Sequence, residues 1–231
     1  FADLLDWFAL DHSTRAILLY VEAIGDAKRF MSAARAAARV KPVIVIKSGR
    51  HPRAAKAAAT HTGALAGADA VYDAAFRRAG LLRVRDIDEL FDAAEALGRV
   101  RPFPGNPLAI LTNGGGIGVL AVDDLIDLGG KLADLSDDTR AALDAVLPVT
   151  WSHANPVDIV GDADAERFSK SLAPLLRDSK NDAVMVMHCP TALSDGEAVA
   201  QAVADCVRES GTRKPVFAVW LGATDKSDRI F

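Results

Sequence analysis

"LAILTNGGGIGVLAVDDL", residues 108–125, decides how this chain folds. "LAILT" is a short apolar run bounded by turn formers, too short for a helix, and reads as a strand buried on both faces. Asn113 and three glycines follow, and from Ile117 the apolar residues recur at helical spacing, predicting a helix over 117–128. A strand, a tight turn and a helix in that order make the repeating unit of a parallel sheet covered by helices.

The same alternation runs outward in both directions. Downstream lie a strand at "KLADL" (131–135), a helix over 137–146 and a loop rich in turn formers. A helix over 164–177, a strand at "AVMVMH" (183–188), a helix over 195–210 and a strand at "PVFAVWL" (215–221) complete that half. Upstream, "RVRPFPGNP" (99–107) carries three prolines and a glycine and reads as a linker. Before it, "RAILLYV" (15–21), "PVIVIK" (42–47) and "LLRV" (81–84) read as strands. Helices are predicted over 26–40, over 69–80 with Gly80 as a left-handed cap, and over 86–99 with Asp86 and Glu89 as a capping box. The expected architecture is therefore α/β, in two units of mainly parallel sheet, residues 1–102 and 103–231. The chain opens inside a helix, "FADLLDWFAL", and stops at "DKSDRIF", which reads as the first turns of another. With three strands in the first half, a piece of a longer polypeptide is expected.

Half of the residues are hydrophobic and the net charge is −4. A chain of this balance has ample core and no reason to seek nucleic acid. No apolar run reaches the roughly 18 residues of a membrane span, so no membrane partner is expected. Two cysteines, Cys189 and Cys206, are too few for a disulfide framework or a zinc site and point to a reducing cytoplasm. Charge is uneven, +4 over 1–102 and −8 over 103–231. Lys47, Arg50, Arg53 and Lys56 read either as a solvated basic loop or as a place prepared for phosphate.

Two stretches point to chemistry. In the 113–116 turn, glycines let backbone amides approach an anion at a helix start. The dinucleotide fingerprint fails because Val119 stands where its third glycine belongs, and no Gly-Lys-Ser/Thr follows for a P-loop. A plain tight turn and an anion cradle of Asn113, Gly114, Gly115 and Gly116 both remain open. The second stretch is "ATHTGALAG" (59–67), where His61 lies among small residues ahead of a helix start near Asp69. A neutral imidazole is a competent nucleophile there and needs a carboxylate to fix its tautomer. Glu22, at a strand end where ligand sites of open α/β sheets gather, is available. His12, His51, His153 and His188 take the ordinary reading of solvated bystanders. Cys189 reads as a buried structural cysteine at a strand end, unable to pair with the adjacent His188 across opposite faces. Asp158, in a loop with Asn155, reads as a border of the phosphate site or an ordinary turn residue; Trp151 and Trp220 read as packing.

"KPVIVIKSGR" (41–50), "THTGALAGADAVYDAAFRRAGLLRV" (60–84), "TNGGGIGVLAVDDL" (112–125) and "NPVDIVGDAD" (155–164) together resemble the NDP-forming acyl-CoA synthetases. These are the ADP-forming acetyl-CoA synthetase family, kin to succinyl-CoA synthetase. The resemblance covers nearly the whole chain. It implies two flavodoxin-like ligase subdomains, with His61 as the phosphorylated histidine and Glu22 as the carboxylate that holds it. Thr62 and Gly63 would flank the phosphoryl group, and 113–116 would open one of two helices pointing at it. It further implies CoA, phosphate and ATP or ADP with Mg²⁺, bound mainly by a CoA-binding Rossmann domain and an ATP-grasp domain on the same chain or a partner subunit. A small carboxylic acid or its acyl-CoA is the implied substrate, and a homo-oligomer is expected. "KPVIVIKSGR", "RAGLLRV" and "MVMHCPTA" also resemble bacterial protein lysine acetyltransferases, in which a synthetase-like region fused to a GNAT domain senses acyl-CoA. The histidine is commonly lost there; its retention here favours a competent phosphoryl site.

Overall fold

The structure, a computed structural model, describes residues 1–51, 54, 68–99, 105–222, 224, 226, 227, 229 and 230. His61, Thr62 and Gly63 lie outside the described residues, as does most of the proline-rich stretch. The chain divides into two compact units, Phe1–Arg101 and Pro102–Phe231. Among the described residues no helix is long and apolar enough to cross a membrane.

The first unit holds helices α1 (Ala2–Leu10), α2 (Ala27–Ala38), α3 (Asp69–Ala79) and α4 (Ile87–Arg99), and strands β1 (Ile17–Val21), β2 (Val43–Lys47) and β3 (Leu82–Val84). The strands pair in parallel in the order β1-β2-β3. Alternation sorts the side chains. Val43 and Val45 pack with Phe30, Phe76 and Leu5 on the α1/α2/α3 side, while Ile44 and Ile46 meet Leu90 of α4 on the other. Local chemistry sets the helix limits. Asp26 caps α2 by accepting from Arg29 N–H at 2.9 Å, and Gly80, at φ 81°, closes α3 in the left-handed conformation the sequence calls for. Asp86 accepts from Glu89 N–H at 2.9 Å, and the Glu89 carboxylate reaches back one residue further than in the usual box, to Arg85 N–H at 2.7 Å.

The second unit holds β4 (Pro107–Thr112), α5 (Gly115–Asp127), β5 (Lys131–Leu132), α6 (Asp137–Asp144), β6 (Val157–Asp158), α7 (Ala165–Arg177), β7 (Ala183–His188), α8 (Gly196–Ser210) and β8 (Val216–Trp220). The parallel order is β5-β4-β7-β8, with β6 also against β4. The chain steps outward from β4 to β5, returns, and continues from β7 to β8, which is a doubly wound, flavodoxin-like arrangement. Ile117, Val122 and Leu125 of α5 cover one face against Ile110 and Met187. Leu143 of α6, Phe168, Leu172 and Leu175 of α7, and Val199 and Val203 of α8 cover the other against Leu111, Val184 and Val186.

Three expectations need correction. α5 begins at Gly115 rather than 117, so two of the glycines belong to the helix itself. β5 is confined to Lys131–Leu132, not 131–135, and β6 has no counterpart in the sequence reading. Both corrections have one cause. β5 pairs with β4 only at Pro107 and Leu108, and β6 only at Leu111 and Thr112. The gap between them is filled by the Asn155 side chain. Its Oδ1 accepts from Ile110 N–H, and its Nδ2 donates to the carbonyls of Leu108 and Ala133, each at 2.9 Å. One amide does the work of a strand segment. Asn155→Ala leaves these backbone groups without their partner, and a loss of about 2–4 kcal/mol of unfolding free energy is expected by urea denaturation.

Candidate functional site

In the second unit, sheet order reverses between β4 and β7, and ligand sites of such sheets lie outside the carboxyl ends of the strands at that point. The loops leaving these ends are tied together there. Asn113, 2% exposed, accepts from Cys189 N–H on Oδ1 (2.7 Å) and donates from Nδ2 to the Cys189 carbonyl (2.9 Å). Both ends of its amide are thus engaged, and Asn113 shapes the turn rather than presenting a side chain to a ligand. Thr112 Oγ1 accepts from Gly114 N–H at 3.0 Å, and Thr191 Oγ1 donates to the Gly161 carbonyl at 2.8 Å.

Gly114, Gly115 and Gly118 stand against close neighbours. A Cβ on Gly114 would stand 3.0 Å from Cys189 Cβ, and one on Gly118 would stand 3.1 Å from Thr112 Cγ2 and 3.3 Å from Pro156. One on Gly115 would come within 2.5 Å of Asp158 Oδ2. Gly114 is the N-cap of α5 and no side chain caps the helix, so the positive end of a helix of 13 residues opens on this turn. Asp158 stands beside it, fixed by Val160 N–H on Oδ1 at 3.0 Å. Val160 has φ 70°, a conformation that costs a β-branched residue of order 1–3 kcal/mol.

Two further readings change here. His188 is not a solvated bystander: it is 2% exposed, stacked on Trp220 at 5.0 Å, with Nε2 against Ser194 Oγ at 3.2 Å. It ends a strand buried on both faces, and burial holds its pKa below the ordinary imidazole value, opposed by Asp195. Cys189 is half-buried rather than buried, because it sits one residue beyond β7. Trp151 is buried in the core, and His153 is exposed beside Asp144 at 2.9 Å.

In the first unit, the carboxyl ends of β1, β2 and β3 gather charge. Glu22 follows β1 directly and is half-buried. Lys47, the register partner of Val21, is 2% exposed in a strand with no exposed position, so it does not belong to a solvated loop. Its Nζ lies 4.8 Å from the centre of the Tyr72 ring and donates to the Ser48 carbonyl. Burial pushes its pKa below the ordinary lysine value, opposed by Asp69 and Glu22 and assisted by Arg83. Arg83 bridges Asp69 (2.5 Å) and Asp73 (3.2 Å) on the first turns of α3. Burial alone would lower its pKa; the bonds to Asp69 and Asp73 hold it above the ordinary value. The sequence reading singled out Glu22 and missed this arrangement. The available signal was a lysine closing an otherwise apolar strand, "VIVIK". Among the described residues no group of three or more His, Cys, Asp or Glu side chains is placed to hold a metal ion.

Gly115→Ala must displace Asp158 and should cost roughly 1–3 kcal/mol, whereas Gly116→Ala enters open space and should change stability by less than about 1 kcal/mol. Urea denaturation of the two variants checks the contrast.

The Succinyl-CoA ligase like flavodoxin domain matches residues 1–97, and the Ligase-CoA domain matches residues 108–229. The chain is 41% identical to the alpha subunit of an ADP-forming acetate–CoA ligase I of Pyrococcus furiosus, over 99% of this chain and 49% of that one. It is 45% identical to an ADP-forming acetate–CoA ligase I of Archaeoglobus fulgidus, over 99% of this chain and 32% of that one. A solved dinucleotide-forming acetyl-coenzyme A synthetase 1 of Ca. Korarchaeum cryptofilum, in complex with phosphate and ADP, superposes with a TM-score of 0.90 at 35% identity. That match covers 98% of this chain and 49% of the other. The chain spans about half or less of the length of the relatives it matches.

Proposed function

The chain belongs to the ADP-forming acyl-CoA synthetase family, of succinyl-CoA ligase type, and on that premise we propose that it forms the phosphoryl-carrying part of an acid–CoA ligase. The observation that supports this best is the likeness, over nearly the whole chain, to a synthetase that binds phosphate and ADP. In the proposed cycle, phosphate oxygen attacks the acyl carbon of a small acyl-CoA, giving an acyl phosphate and releasing the CoA thiol. A His61 ring nitrogen then attacks phosphorus, and the carboxylic acid leaves as its carboxylate. ADP oxygen next takes the phosphoryl group from His61, giving ATP and restoring the imidazole. The same steps in reverse activate the acid.

Each residue of this chain has a defined task. Glu22 accepts from the other imidazole N–H, which fixes the tautomer and balances charge as the nitrogen becomes phosphorylated. Thr62 and Gly63 flank the phosphoryl group. The amides opening α5 at Gly115 and Gly116 hold the anion, at a helix end worth about 0.3–1 kcal/mol per charge. Asn113 and Gly114 set the turn that exposes them. The Asp158 carboxylate opposes tight retention of a dianion at the same turn, which suits a group that must be passed on. CoA, and the nucleotide with Mg²⁺, would be held mainly by a CoA-binding Rossmann domain and an ATP-grasp domain of the complete enzyme, in the cytoplasm and in a homo-oligomeric assembly.

The complete enzyme, incubated with γ-labelled ATP and Mg²⁺, should carry an acid-labile, base-stable phosphoryl group. His61→Ala should abolish it, lowering turnover by more than about a thousandfold. An enzyme that is never labelled, yet changes an acetyltransferase rate on binding acyl-CoA, would instead be the sensing region of a GNAT-fused protein.

A further inference from the structure

A groove of about 800 Å³ opens at the surface between α2 and α3, within the size range of small-molecule sites. Its lining is sorted by charge. Lys28 and Arg35 face it from α2, Arg39 from the C-cap of that helix, and Arg78 from α3. No carboxylate is among the described residues that line it. Among the described residues none of these four cations forms an ion pair, whereas their sequence neighbours do. Arg29 bonds Asp3 at 2.5 Å, and Arg77 bonds Asp73 at 2.7 Å. Ala36, Ala74 and Ala75 add only methyl groups to the lining, which do nothing to balance the charge.

Helix ends explain part of this. Cations are favourable at the C-terminal ends of helices, where Arg35, Arg39 and Arg78 stand. That does not account for Lys28, in the first turn of α2, where the dipole opposes a cation. Nor does it account for the sorting, since Arg77 shares the last turn of α3 with Arg78 and is paired. Arg35 and Arg39, four residues apart, also repel each other along the helix. The grouping disfavours the bare helices, and a bound anion would reverse that.

We propose that this groove binds a small molecule carrying two or three phosphoryl groups. Each phosphoryl group brings about −1.5 to −2 charges, so two or three of them balance the four cations, where carboxylates would need four separate groups. Guanidinium forks match phosphoryl oxygens in pairs. From Lys28 to Arg39 the helix rises about 16 Å, which bounds the length of the ligand. A long polyanion does not fit, because the positive stretch ends there and the chain's net charge is −4. No residue at the carboxyl ends of β1, β2 and β3 lines the groove, so the inference does not depend on the proposed phosphoryl transfer.

The test titrates the complete enzyme by calorimetry with tripolyphosphate, ADP and coenzyme A at low salt, and compares it with Arg35→Gln/Arg39→Gln. Nucleotide sites elsewhere in the enzyme are common to both, so the groove is read as the difference. One binding event of the native enzyme should weaken about tenfold or more in this variant. Raising the salt should weaken that event several-fold in the native enzyme. Arg29→Gln/Arg77→Gln removes the same charge from the same helices outside the groove and should leave the event in place. Tripolyphosphate bound at least as tightly as the nucleotides assigns the groove to inorganic polyphosphate; a nucleotide bound more tightly assigns it to that nucleotide. Identical titrations of the native enzyme and Arg35→Gln/Arg39→Gln overturn the inference, as does equal weakening in the Arg29→Gln/Arg77→Gln control. Neither result bears on phosphorylation of His61. Should Arg35→Gln/Arg39→Gln fail to fold by circular dichroism, Arg78→Gln on the α3 side decides, and an unchanged titration there refutes the site.

Discussion

The amide of Asn113 holds the second unit's site in being. It spans the one place in the sheet where neighbouring parallel strands lead the chain away in opposite senses, and it closes that opening with two hydrogen bonds to a single peptide, that of Cys189. Because the bonds use backbone rather than side-chain partners, they fix position without dictating what residue 189 is. With the strand ends held, a Cβ at 114 would crowd Cys189 and one at 115 would push the Asp158 carboxylate aside, and the helix begins with its amides uncovered. Replace the clamp by a flexible side chain and Gly114 loses its reason, since the contact that crowds a Cβ there comes from Cys189. The glycine turn is a consequence of how two strand ends are tied.

The two units use different physics at the carboxyl ends of their strands. The second offers an anion oriented dipoles and little formal positive charge, and it sets a carboxylate close by. The first assembles formal charges at its strand ends and buries one of them, Lys47. Dipoles fixed by a fold need no reorganisation when charge arrives. Buried ions carry a larger desolvation cost but reach further and shift the protonation of their neighbours.

Much of this was legible in the amino-acid order, for identifiable reasons. Strands buried on two faces leave continuous apolar runs, so β2, β4 and β7 stood out, and β7 agrees to the residue; β1 and β8 are apolar throughout although they are less buried. Gly80, Asp26 and Asp86 mark helix limits because their preference is local. What escaped was set by distant partners. β6 and the short β5 depend on a side-chain amide from residue 155, and nothing adjacent to 131 or 157 announces it. The burial of His188 follows from its being the last residue of a central strand, where position outweighs polarity. Lys47 was counted among a run of loop cations when its apolar predecessors placed it inside the sheet. Glu22 was found because chain topology brings strand ends together; the charges around Lys47 come from α3 and β3 and had no linear signature. Of the glycine turn, sequence named the residues, while the structure assigned Asn113 to shaping it.

Asn155 has a wider consequence for how this sheet can vary. Since a side chain, not a strand, spans the middle of the β4 edge, the flanking pieces β5 and β6 are spliced on separately rather than forming one continuous partner. Insertions or deletions at the exposed turn around Val149 would then change the length of the excursion between β5 and β6 without slipping the register of β4. Natural length variation in this family should concentrate there, and the glycine turn that β4 delivers would be insulated from it.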